Sequence, residues 1–269
     1  METAIELFAT KGIESTSVQQ ITEQCGISKG AFYLSFKSKD ELIMSIIDYF
    51  MKSFTIEIDR IVNAFSNPND KLFHFYLTTF EMMKKNANFT EVFIKEQLHS
   101  IDEALINKMT FYETFITKTL QNIILELYGE RIDQHQYDLS YIIKGFIGSY
   151  SHLIMKTTQP LNLKELCESL VEKTDCIAQH CNKFFITEEM FKQSAYHVVE
   201  VVKEDIINEL QRVYKNMEDE IILDSLSILN EQLNSAVPRK AIIHGMLLNL
   251  QQESKCSWLC FLVRKYFNL

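Results

Sequence analysis

Apolar residues recur every three or four positions along almost the whole chain, the period of amphipathic helices. Glu2 to Thr10 sets Ala4, Ile5, Phe8 and Ala9 on one face and stops at Lys11-Gly12, a cation in the last turn followed by a C-cap glycine. Ser15-Thr16-Ser17 supplies N-cap candidates ahead of Val18, Ile21 and Cys25, and Gly26 closes that short second helix. Ser28 caps a third helix holding Ala31, Phe32 and Phe36. A fourth starts after Ser38 and runs through Leu42, Ile46, Tyr49, Phe50 and Phe54 towards Phe65. Pro68, Pro160 and Pro238 fall between periodic segments, which sets helix boundaries near 66–69, 157–162 and 235–239. Between them the pattern predicts helices at 69–85, 89–98, 102–128, 133–156 and 161–183, with Gly129 ending the longest. Ile206, Leu210, Val213 and Met217 follow a 4-3-4 spacing that Ile222, Leu226, Leu229 and Leu233 repeat, so a break is expected at the acidic run Glu218 to Glu220. Ala241 to Leu269 is strongly apolar.

Composition narrows this to an all-α fold. Only 7 Gly and 3 Pro occur in 269 residues, too few for a turn-rich β-sandwich or barrel. No Gly-rich nucleotide-binding turn is present. The net charge of −9 argues against a broadly basic nucleic-acid coat or a polybasic membrane binder, while leaving room for a small basic face. No apolar run is long enough to span a bilayer; the nearest, Tyr141 to Met155, is interrupted by Lys144, Ser149 and His152. No basic-then-apolar leader opens the sequence, which points to the cytoplasm. The six cysteines, at 25, 167, 176, 181, 256 and 260, lack the paired CxxC spacing of a zinc site and read as reduced thiols. The seven histidines are dispersed, with no H-E-x-x-H or G-x-S-x-G signature. The expectation is no enzyme, no metal and no cofactor.

The informative stretch is Thr16 to Leu42. Two short helices meet at a tight turn on Gly26, and the second opens on Ser28 with Lys29 and Gly30 in its first turn, a helix-turn-helix arrangement. Gly30 costs about 1 kcal/mol against Ala in a helix, which makes sense where the backbone must lie against a base edge or phosphate. Lys29, Lys37 and Lys39 form a local positive cluster, and Tyr33 can hydrogen-bond a phosphate. Leu7-Phe8, Lys11-Gly12, Thr16, Val18, Ile21, Gly26, Ser28-Lys29-Gly30, Tyr33, Phe36, Ser38-Lys39 and Leu42 together resemble the DNA-binding domain of the TetR/AcrR family of bacterial transcriptional regulators. The resemblance implies that Thr16 and Ser17 cap the second helix and touch phosphate. Gln19 stands where the family often points an Arg at DNA. Ser28, Lys29, Gly30 and Ala31 would enter the major groove, with Tyr33 and Lys39 anchoring the backbone and Lys37 among the DNA-binding residues. Ile5, Phe8, Val18, Ile21, Phe32 and Phe36 form the mini-core. Ala31 replaces the family's Thr or Ser, Ser35 its His or Tyr, and Gln19 a frequent Arg, so each removes a DNA contact. Residues 1–45 carry four Lys and six acidic groups, and the family's basic residues ahead of Glu2 do not appear, whether through a late start or a missing arm. Affinity should then be modest and salt-sensitive.

The family places a helical ligand-binding and dimerisation domain behind this one. The resulting division is 1–45 for DNA binding, 46–185 for ligand and dimer, and 186–269 for additional helices packed on the regulatory domain. Nine aromatics between 69 and 120, with several methionines, suit an adaptable pocket for a lipophile. Phe73, Tyr76, Phe80, Met83, Phe93, Glu96, Phe111, Phe115 and Phe146 are its candidate lining; ordinary core is the competing reading of each. Glu81, Glu96 or Glu113 would favour a cationic ligand if it faced inward. Helices 133–156 and 161–183 match the family's dimer pair, with Ile142, Gly145, Gly148, Leu166 and Leu170 as the expected interface. Two recognition helices would then lie about 34–36 Å apart on a near-palindrome. The function implied is a repressor that binds its operator as a homodimer and is released by a small lipophilic effector. The alternative is a DNA-bound adaptor whose helical domain docks a protein partner and senses no small molecule.

Overall fold

The computed structural model describes residues 1–95, 103–132, 135–157, 159–193 and 201–269. Every regular element among them is helical, and the chain divides into two compact units, Met1–His197 and Val198–Leu269.

In the first unit, α1 (Glu2–Lys11), α2 (Val18–Cys25) and α3 (Lys29–Ser35) precede α4 (Lys39–Ala64). Gly12 ends α1 at φ +87° and Gly26 ends α2 at φ +65°, left-handed values that favour glycine. Ser17 and Gln20 cap α2 reciprocally: the Gln20 amide donates to Ser17 Oγ (3.2 Å) and the Ser17 amide to Gln20 Oε1 (2.8 Å). Ala4, Ile5, Phe8, Ile21, Phe32, Leu42 and Ile46 close the predicted mini-core, and Phe50, a turn further along α4, packs against it. The far end of α4 enters a second core through Ile58 and Val62.

That second core joins α5 (Pro68–Lys85), α7 (Glu103–Tyr128), α8 (Gln136–Lys156) and α9 (Leu163–His180) to α4. Pro68 takes the first helical position of α5, behind an Asn67 cap. The Tyr76 hydroxyl pairs with that of Thr174 (2.9 Å), and the Tyr128 hydroxyl donates to Asp175 (2.5 Å), so α9 is pinned to α5 and α7 by polar bonds as well as by Leu170. Between α5 and α7, α6 (Ala87–Lys95) lies against α1, with Phe89 and Val92 on the mini-core. The short α10 (Glu188–Gln193) follows.

The second unit holds α11 (Lys203–Tyr214), α12 (Glu220–Asn234), α13 (Lys240–Leu250) and α14 (Ser257–Phe267). Each packs on two of the others, α11 on α12 and α14, and α13 on α12 and α14. Ile206, Leu210 and Val213 are buried together with Ile222, Leu226, Leu229 and Leu233, as their shared spacing predicts. The break falls at the acidic run, where Asp219 caps α12 by accepting from the Ile222 amide (3.0 Å). The apolar C-terminal stretch is two helices, with Trp258 stacked on Phe261 (centroids 4.8 Å apart) inside the second.

Candidate nucleic-acid interface and effector cavity

The turn at Gly26 sets α3 on the outside of the mini-core. Phe32 alone of α3 is buried. Residues 23–31 and 33–35 are exposed, so Ser28, Lys29, Gly30, Ala31 and Tyr33 of the expected set are on the surface, as is Gln19 of α2. Ser28 Oγ accepts from the Ala31 amide (3.1 Å), fixing the start of the helix. Lys29 Nζ donates to Gln19 Oε1 (3.3 Å), and Gln19 Nε2 to Glu23 Oε1 (2.8 Å), so the cation of α3 is tied to α2. Lys37, just past the end of α3, is exposed.

Two expected DNA contacts are used by the fold instead. Thr16 is fully buried, and its hydroxyl donates to the Gly12 carbonyl (2.7 Å); a side chain with no exposed surface does not reach a phosphate. Lys39 turns inward, with Nζ donating to the carbonyls of Ile13 (2.9 Å) and Thr16 (3.2 Å), which closes the α1–α2 loop over the start of α4. The sequence pattern misses Leu34, which stands 90% exposed on α3. Its signal is helical phase: it falls opposite the buried Phe32.

Behind this domain lies a cavity of about 500 Å³. Phe50, Met51 and Phe54 of α4 line it with Phe75, Thr79, Met82 and Met83 of α5, Phe89 and Thr90 of α6, Met109, Glu113, Ile116 and Leu120 of α7, and Lys144, Ile147, Gly148, Ser151 and His152 of α8. Its wall is predominantly apolar, and its charged pair comes from α7 and α8. Lys144 Nζ donates to Glu113 Oε1 (3.1 Å) and lies over the Tyr141 ring. Burial lowers the Lys144 pKa, and the Glu113 charge opposes that shift without cancelling it. Phe50 and Phe89 stack at 4.1 Å, and both rings belong at once to the cavity wall and to the packing around the mini-core.

The predicted chain segment therefore contributes to the cavity, but mostly through other residues. Met83 lines it. Tyr76, Phe80 and Phe115 are instead buried in the protein interior, because α5 and α7 turn those faces towards their helical neighbours. Phe73 and Phe146 pack against the main core, and Phe111 makes edge contacts with Tyr112 and Phe115. Glu96 and the Phe93 side chain lie outside the described residues. The missed residues on α8 had a signal: Lys144 and His152 are two of the polar interruptions in its apolar run. On α4 the signal is length, since the helix runs on well past the residues that the mini-core buries.

Of the expected dimer residues, Gly145 and Gly148 are exposed on α8 and Ile142 is half-buried. Leu166 packs on the core, and Leu170 has no exposed surface, so it fastens α9 within the chain and has none to offer an interface.

Comparison with known proteins agrees with this architecture. Residues 1–46 match the family described as bacterial regulatory proteins, tetR family. The HTH-type transcriptional regulator YerO of Bacillus subtilis is 31% identical over 257 residues, covering 93% of this chain and 88% of the relative. Among solved structures, the regulator FadR from Bacillus subtilis in complex with stearoyl-CoA superposes with a TM-score of 0.54 at 21% identity, over 64% of this chain and 94% of that one. A transcriptional regulator from Aquifex aeolicus superposes with a TM-score of 0.51 at 27% identity, over 65% and 95%. With a family match across its helix-turn-helix and a relative matched along nearly its whole length, the chain belongs to the tetR family of transcriptional regulators.

Proposed function

We propose that the protein is a ligand-responsive repressor that binds a near-palindromic operator as a homodimer and is released by a small lipophilic molecule held between α4, α5, α6, α7 and α8. The observation that carries the reading is the stacked Phe50–Phe89 pair, shared by the cavity wall and the packing of the helix-turn-helix mini-core. A ligand that pushes either ring moves α4 or α6, and α6 lies against α1. The recognition helices of two copies then change spacing, and a duplex with fixed half-site separation binds only one spacing.

Ser17, Gln19, Ser28, Lys29, Gly30, Ala31, Tyr33 and Lys37 form the DNA face in this reading, and Thr16 and Lys39 hold it in shape. The second copy docks on α8 around Gly145 and Gly148, where the absence of side chains lets helices approach closely. The predominantly apolar wall suits a lipophile, and the stearoyl-CoA bound by the FadR neighbour accords with that class. Because Glu113 is paired with Lys144, the cavity has no net preference for a cation from this carboxylate. The adaptor alternative requires a filled interior, and a cavity of about 500 Å³ favours the effector reading over it.

The test is selection of bound duplexes from the source genome with the full chain, footprinting of the best site, and titration with stearoyl-CoA. Protection of a near-palindrome that the acyl-CoA releases is the expected result. No protected site by a folded, dimeric protein would overturn the DNA-binding reading. Protection insensitive to stearoyl-CoA and to a neutral apolar fluorophore would overturn the effector reading alone.

A further inference from the structure

The recognition helix presents an apolar ridge to the outside. With 3.6 residues per turn, Gly30 and Leu34 lie about 160° and 200° around α3 from the buried Phe32, so the two form the row farthest from the protein's interior. Gly30 has no side chain, and Leu34 is 90% exposed, the most exposed large hydrophobic residue among those described. The hydrogen-bonding side chains sit on the flanks of this ridge. Lys29 is tied back to Gln19, and Tyr33 packs edge-on against Phe32 (5.3 Å) while remaining 52% exposed.

A solvated Leu at this place gains nothing in the folded protein, since no core residue receives it. In the major groove one base offers an apolar feature, the C5-methyl group of thymine, and side chains such as Ala and Phe read it by contact. We infer that Leu34 is a specificity residue that selects thymine in each operator half-site by packing on its 5-methyl group, with Gly30 letting the helix approach closely enough for the contact. The inference rests on the DNA-binding reading above. It also accords with the apolar Ala31 on the same helix: phosphate contacts around the ridge supply the remaining affinity.

The experiment uses the full chain and a duplex selected from a random-sequence pool. Each thymine of the selected site is replaced singly by deoxyuridine, which lacks the methyl and keeps every pairing and groove hydrogen-bonding atom. Wild type should lose about fourfold in affinity at one thymine per half-site, the worth of one buried methyl-sized group. Leu34→Ala should bind the thymine and deoxyuridine duplexes equally, and its circular dichroism and thermal midpoint should match wild type because the side chain is solvated. Selection repeated with Leu34→Gln should move the preferred base away from thymine at that position. Equal wild-type affinity for all deoxyuridine duplexes, or a penalty that persists unchanged in Leu34→Ala, would overturn the assignment while leaving DNA binding intact. Recovery of no duplex by the folded protein would overturn the DNA-binding reading and this inference with it.

Discussion

Gly30→Ala separates what the fold needs from what the DNA needs. An ideal Cβ at Gly30 meets Ser28 Oγ at 3.6 Å, ordinary contact, so the free protein has room for a methyl. Gly to Ala in a helix interior gains about 1 kcal/mol; at the second residue of α3 we take about half of that. For a unit the size of Met1–His197 this is a rise of about 1–2 °C in Tm. In the complex the same methyl would stand on the outermost row of the recognition helix. Overpacking a close contact costs about 1–3 kcal/mol, which is about fivefold to more than a hundredfold in affinity. The assay pairs thermal unfolding by circular dichroism with fluorescence anisotropy on the selected duplex at two salt concentrations. Stability should be kept or raised, affinity should fall, and the salt slope should stay the same, because no charge changes. Undiminished affinity would refute the close approach of the backbone. A lowered Tm would refute the reading that the glycine answers to DNA and not to folding.

Lys39→Met should lower the Tm of the first unit by several degrees, since it removes two charged hydrogen bonds worth about 2 kcal/mol together, and should leave the salt slope of DNA binding unchanged. A slope reduced by about 1 per copy with unchanged Tm would instead make Lys39 a phosphate contact. Replacing Met83 and Met109 together by Trp should weaken binding of the neutral fluorophore N-phenyl-1-naphthylamine by about tenfold or more through filling the cavity; unaltered binding would place that ligand elsewhere. Burial raises the Asp48 pKa, but hydrogen bonds from Lys108 and Tyr112 and the charge of Lys52 outweigh it and hold the carboxyl below its ordinary value. Its contribution is therefore complete above the ordinary carboxylate range and lost as pH falls through the folded value. Asp48→Asn should cost about 1–2 kcal/mol at neutral pH, and its Tm gap to wild type should narrow as pH falls below the ordinary carboxylate range; a constant gap would contradict the ion-pair account.

The helix boundaries were legible because local chemistry decides them. Pro68, Gly26, Gly129 and the caps at Ser17, Ser28 and Ser38 act on their own turns whatever the tertiary context. The mini-core was legible for a related reason: α1 to α3 are short, so each has only one face to bury. The cavity was not, because α5 and α7 are covered on several sides and periodicity does not say which apolar stripe meets a neighbour and which meets a void. Tyr76 and Met83 carry the same kind of signal, and only the tertiary arrangement separates a core tyrosine bonded to Thr174 from a methionine on the cavity wall. Lys39 shows a second limit. A lysine beside a DNA-binding motif reads as a phosphate contact, yet that ammonium reaches the Ile13 and Thr16 carbonyls.

The uninterrupted course of α4 has a mechanical consequence. Its 26 residues hold no proline or glycine, so it has no built-in place to kink, and at 1.5 Å per residue it is a rod of about 39 Å. A tilt of about 5° about one end sweeps the other by about 3 Å, close to the rise of one base pair. Such gearing converts the displacement of a few ring atoms into a shift of the size that DNA register discriminates. Replacing two adjacent residues near Thr55 by glycine, which keeps the helical phase, would act as a slack joint in that linkage, leaving both ends folded and the two binding events indifferent to one another.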